Sequence, residues 1–276
     1  MITHSLPKLI TFDGEARSGK GTIVSGVKDY LRDECGYKVM LIDAGQVFRV
    51  LVVAASRSGV NLDDPAALDA FLRDETEAEK CVRLVKDVYH MSKDERDALL
   101  YTNQVGANSA KVGARPLSQE FKDDILRKWY HDAHTEGYDV ILHDGRALEE
   151  TGAMLEHESL CHFVMGLYFT CDGTVGARRT LGFATTQYDD LSNDDKASVD
   201  ELVEQIKERN RKDAERAVQP VVPPSDAAVF VLPKAPLELP SEHRPMFVFD
   251  TSAEMTKNDM IMPVAILAAQ ALKRAR

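Results

Sequence analysis

Apolar residues fall along this chain in two kinds of pattern, short runs that suit buried strands and longer stretches with helical spacing. Lys8-Leu-Ile-Thr-Phe12 is short, apolar and partly β-branched, as a buried strand should be. Gly21 to Asp33 reads as a helix closing near Gly36, and Tyr37-Lys-Val-Met-Leu-Ile-Asp43 as a second strand. Strand, helix and strand in close succession make a βαβ unit, so the pattern predicts a parallel sheet. Gln46 to Arg57 is helical, and Asn61-Leu-Asp-Asp-Pro65 starts another helix with proline in its first turn. Between Cys81 and Tyr101, Val82-Arg-Leu-Val and Asp87-Val-Tyr-His fit both periods, leaving strand and helix open.

Ser118 to Ala133 reads as a helix with Ser118 as its N-cap, Tyr138 to His143 as the third strand, and Leu160 to Thr170 contains the fourth. Thr185 to Lys196 is polar and reads as a mobile loop, followed by a long helix from Ser198 to Val218. Pro220 to Pro245 is proline-rich and irregular apart from Ala227-Ala-Val-Phe-Val231. Met246-Phe-Val-Phe249 is the expected last core strand, and Lys257 to Arg274 a closing helix interrupted early by Pro263.

Candidate chemistry begins where the first strand meets the first helix. Gly14-Glu15-Ala16-Arg17-Ser18-Gly19-Lys20-Gly21-Thr22 places two glycines five apart with a lysine directly after the second. Glycines there permit positive φ and close backbone approach. Successive N–H groups can then point at a polyphosphate while the helix start adds partial positive charge. Lys20 would bridge the outer phosphates. The general pattern has Ser or Thr directly after the lysine to reach Mg²⁺, whereas here Gly21 intervenes and Thr22 follows. Asp144-Gly-Arg146 follows the third strand, and a carboxylate at the tip of a parallel strand facing a phosphate loop is a device for holding Mg²⁺. Ligands of such sheets gather at the carboxyl ends of the strands, which sets Asp13 and Asp43 on one rim. Arg209, Asp213 and Arg216 recur at three and four residues on one helix face, a spacing equally common in solvated ion-paired helices.

The chain has 276 residues, 44% hydrophobic and 29% charged, enough to bury a full core. A net charge of -11 opposes a nucleic-acid polymer as partner, although a local arginine cluster still suits a small anion. With the first strand starting by Lys8, no secretory leader is expected. The apolar run from Met260 to Leu272 is broken by Pro263 and too short for a bilayer. Cys35, Cys81, Cys161 and Cys171 lack metal-type spacing and point to a reduced, cytoplasmic setting. His131, His134, His157 and His162 read as surface or packed histidines rather than zinc ligands.

Four segments in order resemble cytidylate kinase of the bacterial type. They are Asp13-Gly14 through Thr22; Leu41-Ile-Asp-Ala-Gly-Gln-Val-Phe-Arg49, beside the family's Leu-Asp-Ser-Gly-Ala-hydrophobic-Tyr-Arg; Asp144-Gly-Arg146; and Ile206 to Arg216 with Pro220 and Asp226-Ala beyond. The resemblance implies an α/β P-loop NTPase fold of three layers, a five-stranded parallel sheet in one kinase domain over 1–276. Its core would be 1–55, 106–175 and 199–276, with a monophosphate-binding insert at about 56–105 and a short lid at about 176–198. It implies ATP as phosphoryl donor, Mg²⁺ at Asp144 and Thr22, a nucleoside monophosphate as acceptor, no membrane and a monomer. Arg49, Arg146 and Arg216 would clamp the acceptor phosphate, since each guanidinium can bond two oxygens with a planar fork. Lys20, Arg178, Arg179 and Arg209 would surround the transferring group, and Asp213 suits a ribose hydroxyl or base amino group.

Departures from the family concentrate on the acceptor side. Ala44 and Ala110 stand where the family has serine, Gln119 where it has arginine, and Ala147 where Asp follows Gly-Arg, with Glu149 and Glu150 nearby. By the resemblance Asp43, Ala44, Ala110 and Gln119 belong to acceptor binding, the last three mainly to its base. Alanine cannot hydrogen-bond, and glutamine replaces a fixed charge by a neutral amide. The expected activity is phosphorylation of CMP or dCMP. A P-loop kinase with another acceptor, and a nucleotide-binding protein without turnover, stand beside it.

Overall fold

The computed structural model describes residues 5–146, 148–216, 220–234 and 245–275. Ala147, Val218 and most of the 232–245 insertion therefore lie outside the described residues. The chain divides into two compact units, Met1–Ile42 with Ala133–Arg276, and Asp43–Asp132.

In the first unit, strand β1 (Lys8–Gly14) leads through a tight loop into helix α1 (Lys20–Asp33), and the chain returns as β2 (Val39–Asp43). After the second unit it continues as β3 (Val140–Asp144), a helix at Leu148–His157, β4 (His162–Thr170), a helix at Gly173–Thr180, a 3-10 turn at Tyr188–Asp190 and a helix at Asn193–Ala214. Strands β5 (Ala228–Val231) and β6 (Met246–Asp250) and a last helix at Lys257–Arg274 complete it. The second unit holds helices α2 (Ala44–Arg57), α3 (Pro65–Arg73), α4 (Glu75–His90), α5 (Lys93–Leu100), α6 (Asn103–Gly113) and most of α7 (Pro116–Thr135). The later helices of the first unit are thus α8 (Leu148–His157), α9 (Gly173–Thr180), α10 (Asn193–Ala214) and α11 (Lys257–Arg274).

The sheet order is β2-β3-β1-β4-β6-β5, with parallel pairing from β3 through to β5. Leu9, Ile10, Thr11 and Phe12 are all buried, as a central strand covered on both faces requires. On one face Ile10, Phe12, Leu167, Phe169 and Phe249 pack against Ile23, Val27 and Leu31 of α1 and Val264, Leu267 and Ala268 of α11. Phe169 stacks on Phe12 at 6.2 Å and on Phe249 at 5.9 Å between ring centroids. On β4, Leu9 pairs with Phe163 but Ile10 with Met165, so Val164 is an extra residue in the ladder. That bulge turns Phe163 to α8, where a Cβ added to Gly152 would meet its ring at 3.0 Å.

Six strands replace the expected five. The extra one, β5, is an edge strand along β6 with Val229 66% exposed, so its side chains carry little of the burial pattern that marks a core strand. The closing helix also runs unbroken through Pro263. Its missing N–H forfeits one helical bond, but Met260, Val264, Leu267 and Ala268 are buried on either side and hold the turn. Residues 176–198 comprise the end of α9, the 3-10 turn and the start of α10, with Phe183, Tyr188 and Leu191 packed on Val199 and Val203. The helix expected from Ser198 begins five residues earlier, at Asn193, where Ser192 caps it.

In the second unit the ambiguous stretch from Cys81 to Tyr101 is helical. Cys81, Val85 and Val88 lie three and four apart on α4 and pack on α2, and this shared partner selects the helical period. Helix α7 opens on Pro116, whose fixed φ suits a first helical position, so Ser118 lies inside the first turn with its side chain buried rather than capping. All four cysteines are free thiols. Among the described residues no helix is long and apolar enough to cross a membrane.

Phe249→Ala removes a fully buried ring from the aromatic stack and should lower stability by about 3–5 kcal/mol, read as a reduced urea midpoint with an unchanged m-value.

Candidate active site

The turn between β1 and α1 is shaped by its glycines and by groups reaching in from β4, β6 and α10. Gly14 has φ +143°, and a Cβ there would stand 2.3 Å from the Phe169 carbonyl oxygen. That same oxygen accepts a bond from Glu15 N at 2.9 Å. Ala16 N donates to Asn210 Oδ1 at 2.9 Å, and Ser18 Oγ donates to the Glu15 carbonyl at 3.0 Å. Thr251, one residue past β6, donates through Oγ1 to the Ser18 carbonyl at 2.9 Å. Arg17 at φ 62° and Gly19 at φ 80° bend the chain into α1, which begins at Lys20 with no side-chain cap. The first N–H groups of such a helix have no intrahelical acceptor and, with the helix dipole, favour an anion.

Lys20 lies folded under this turn. Its Nζ is 2.6 Å from the Gly145 carbonyl, 3.4 Å from that of Phe12, and ion-paired with Asp144 at the end of β3. Asp13 is half-buried beside it, accepting from Gly14 N at 2.7 Å and Leu148 N at 3.0 Å. Burial raises its carboxyl above the ordinary range, against the opposing pull of Lys20. Burial likewise raises Glu15, opposed by a bond from Cys171 N. Thr22 and Gly21 are exposed on the first turn of α1.

A second cluster gathers on Asp213, whose side chain is only 6% exposed. Arg146 and Arg216 donate to its two oxygens, and Arg209 Nε lies 3.8 Å from one of them. Burial lowers the Arg216 pKa while Asp213 opposes the change. A cavity of about 260 Å³ opens here, lined by Glu15, Arg146, Tyr168, Asn210, Asp213 and Val221 among others. The structure thus brings Arg146, Arg209, Asp213 and Arg216 together beside Glu15 of the loop.

Arg178 and Arg179 are held elsewhere. Arg178 is buried and donates to Glu254 at 2.9 Å, while Arg179 donates to the carbonyls of Thr251 and Ala253 at 2.7 Å each. Both tie α9 to the loop after β6, and a Cβ on Gly176 would lie 3.0 Å from the Arg17 carbonyl. Closing over a phosphoryl group would require these bonds to break.

In the second unit Asp43 caps α2 by accepting from Gln46 N at 3.2 Å. Arg49 donates to the Leu100 carbonyl at 3.0 Å and lies over the Tyr101 ring, 4.4 Å from its centroid. Ala44 is buried and Ala110 exposed. Gln119 Nε2 donates to the Gly113 carbonyl, while its Oε1 is buried with no partner among the described residues. Asn210, Thr251 and Tyr101 escaped the reading of the sequence. Asn210 adjoins Arg209 in a motif already suspect, but nothing local distinguishes Thr251 or Tyr101.

The family model for cytidylate kinases matches residues 10–233. A cytidylate kinase of Shewanella pealeana is 30% identical over 228 residues, covering 80% of this chain and 86% of that protein. One of Pseudomonas putida is 27% identical over 227 residues, covering 81% and 88%, and one of Aliivibrio salmonicida is 27% identical over 240 residues, covering 83% and 90%.

Gly14→Ala should cost about 2–4 kcal/mol through strain and overpacking. Gly21→Ala, with nothing within 4 Å of its new methyl, should be neutral or stabilising by up to about 1 kcal/mol, and urea titration of the two variants compares them. Asp13 carries a further signature. Its folded pKa is raised, so its stabilising share is fully present below the ordinary value of 3.8 and is lost as pH rises through the folded value. The stability margin of wild type over Asp13→Asn should therefore shrink as pH is raised from about 4.

Proposed function

The chain belongs to the cytidylate kinase family, phosphotransferases of the nucleoside monophosphate kinase type, and from that premise we propose that it transfers the γ-phosphoryl group of Mg-ATP to CMP or dCMP. The observation that carries this reading is the pairing of a backbone-lined anion turn at Gly14–Thr22 with an arginine cluster ordered by one buried carboxylate. Transfer between two nucleotides needs little covalent chemistry. It needs in-line placement of the reacting oxygens and cations around the charge they share.

Donor phosphates are assigned to the loop of Gly14, Glu15, Ala16, Arg17, Ser18, Gly19, Lys20, Gly21 and Thr22; because the N–H groups of Gly14, Glu15, Ala16 and Thr22 already donate within the fold, those from Arg17 to Gly21 are the ones assigned to phosphate oxygens. Lys20 already has an anionic partner in Asp144, so on nucleotide binding it exchanges one anion for another. That exchange separates the Asp144 carboxylate from Lys20. Asp144 at the end of β3 and Thr22 on the first turn of α1 offer oxygen donors, the ligand type that suits Mg²⁺. Asp144 and the Thr22 hydroxyl are assigned to it; bound there, Mg²⁺ supplies neutralising charge to the donor phosphates.

Acceptor binding is assigned to Arg146 and Arg216 in the first unit and to Asp43 and Arg49 in the second. Asp213 fixes the planes of Arg146 and Arg216 with one bond from each, and each guanidinium has further N–H groups for phosphate oxygens. Arg209, half exposed at 53%, is assigned to the transferring group. Arg178 and Arg179 join it only after leaving the loop at 251–254. With Ala44 and Ala110 unable to hydrogen-bond and Gln119 engaged by its own backbone, base recognition differs in chemistry from the family pattern.

Purified protein with Mg-ATP should form ADP in the presence of CMP or dCMP, and Lys20→Ala should lower kcat by about 10²- to 10³-fold. Failure to phosphorylate any common ribo- or deoxyribonucleoside monophosphate, with a control kinase active, would sink the catalytic reading; tight nucleotide binding without turnover would then identify a binding protein.

A further inference from the structure

Tyr101 joins the two second-unit residues assigned to the acceptor. Its hydroxyl donates to Asp43 Oδ2 at 2.8 Å, while Asp43 Oδ1 caps α2. Its ring carries the Arg49 guanidinium at 4.4 Å, and the carbonyl of the preceding residue, Leu100, accepts from Arg49 at 3.0 Å. The Gln46 side chain lies close to the same phenol, and its backbone N–H donates to the Asp43 carboxylate at 3.2 Å. One aromatic residue at the end of α5 thus contacts both the N-cap carboxylate of α2 and a guanidinium six residues further along that helix. Four of the five Arg49 N–H groups have no protein partner among the described residues, so the fork is aimed but not consumed.

The surrounding substitutions point the same way. Ala44 and Ala110 remove hydroxyls from this unit, while Gln46 stands where the resembled pattern has alanine and, with Tyr101, returns polar groups beside Asp43. We propose that Tyr101 is a positioning residue for the acceptor nucleotide, holding Asp43 and Arg49 in the geometry that binds the monophosphate. This rests on the kinase reading above. Tyr101 touches no reacting atom; it acts on the acceptor through Asp43 and Arg49, so its loss weakens acceptor binding and leaves the donor side alone.

The test varies CMP at saturating Mg-ATP, and Mg-ATP at saturating CMP, in wild type, Tyr101→Phe, Tyr101→Ala and Gln46→Ala. Tyr101→Phe keeps the ring over Arg49 and deletes only the bond to Asp43, so KM for CMP should rise about three- to tenfold. Tyr101→Ala also removes the cation–π contact and should raise it more than about tenfold, with Gln46→Ala nearest to wild type. In all of them kcat and KM for ATP should stay within about twofold. A KM for CMP in Tyr101→Ala within twofold of wild type, or an equal rise in KM for ATP, overturns the proposal, and should Tyr101→Ala not fold, Tyr101→Phe decides alone. If wild type does not turn over, the kinase reading fails separately, and calorimetric titration of CMP decides this one: a weaker Kd in Tyr101→Phe supports it, an equal Kd overturns it. Wild type that binds no CMP overturns both.

Discussion

The approach of Gly14 to the Phe169 carbonyl is the contact on which the first unit depends. No other residue allows the end of β1 to pass 2.3 Å, measured from an ideal Cβ, beside that oxygen at φ +143°. Because Gly14 has no side chain, Glu15 N can use the same oxygen, and the turn after β1 is pinned to the last residues of β4. Directly beneath, the Phe12, Phe169 and Phe249 rings stack across three neighbouring strands and make the floor stiff. Thr251 extends the same registration to β6 by bonding both Ser18 and Thr170 carbonyls. The loop after β1 is thereby held by covalent neighbours on one strand and hydrogen bonds from residues at the ends of two others.

The cations gathered around Asp144 and Asp213 are partnered ones. Lys20 rests on Asp144, and Arg146 and Arg216 rest on Asp213. Leaving such groups partly buried without a counter-ion would cost several kcal/mol, so each carboxylate stabilises the ligand-free arrangement of its cations. The two pairs differ in consequence. Lys20 meets the Asp144 carboxylate, whereas Asp213 takes Arg146 and Arg216, with Arg209 Nε 3.8 Å away, and the Glu15 carboxylate lines the cavity beside them. At distances well under a Debye length the nearest charges dominate, so what a small anion meets here is set by these side chains rather than by the charge of the whole chain. Arg178 and Arg179, adjacent in sequence, instead fasten α9 to residues 251–254.

The family match ends at 233, yet β6 lies between β4 and β5, and α11 packs along α1 so closely that a Cβ on Gly26 would stand 2.5 Å from Ile261. Part of the core is thus supplied by sequence beyond the recognisable family pattern. Burial explains how this is possible. A sheet position between two strands asks for apolar, β-forming residues of suitable volume, which Phe247, Val248 and Phe249 provide, and not for particular identities.

Local signals in the sequence determined the βαβ start, the parallel sheet, the glycine-shaped turn from Gly14 to Lys20, and the shared helix face of Arg209, Asp213 and Arg216, because each depends on residues a few positions apart. The helical state of Cys81 to Leu100, the sixth strand, the continuity of α11 through Pro263 and the start of α7 at Pro116 were decided by packing against distant elements, which overrides short-range preference. The site divides in the same way. Sequence identified Lys20, Asp144 and Arg146 as chemistry-bearing, but only the tertiary structure paired Lys20 with Asp144 across 124 positions and Arg146 with Asp213 across 67. It also brought Tyr101 to Asp43 and Arg49. A hydrogen bond or ion pair needs a few ångströms of separation, and for residues so far apart along the chain that separation is set by the packed sheet and helices, not by any local pattern.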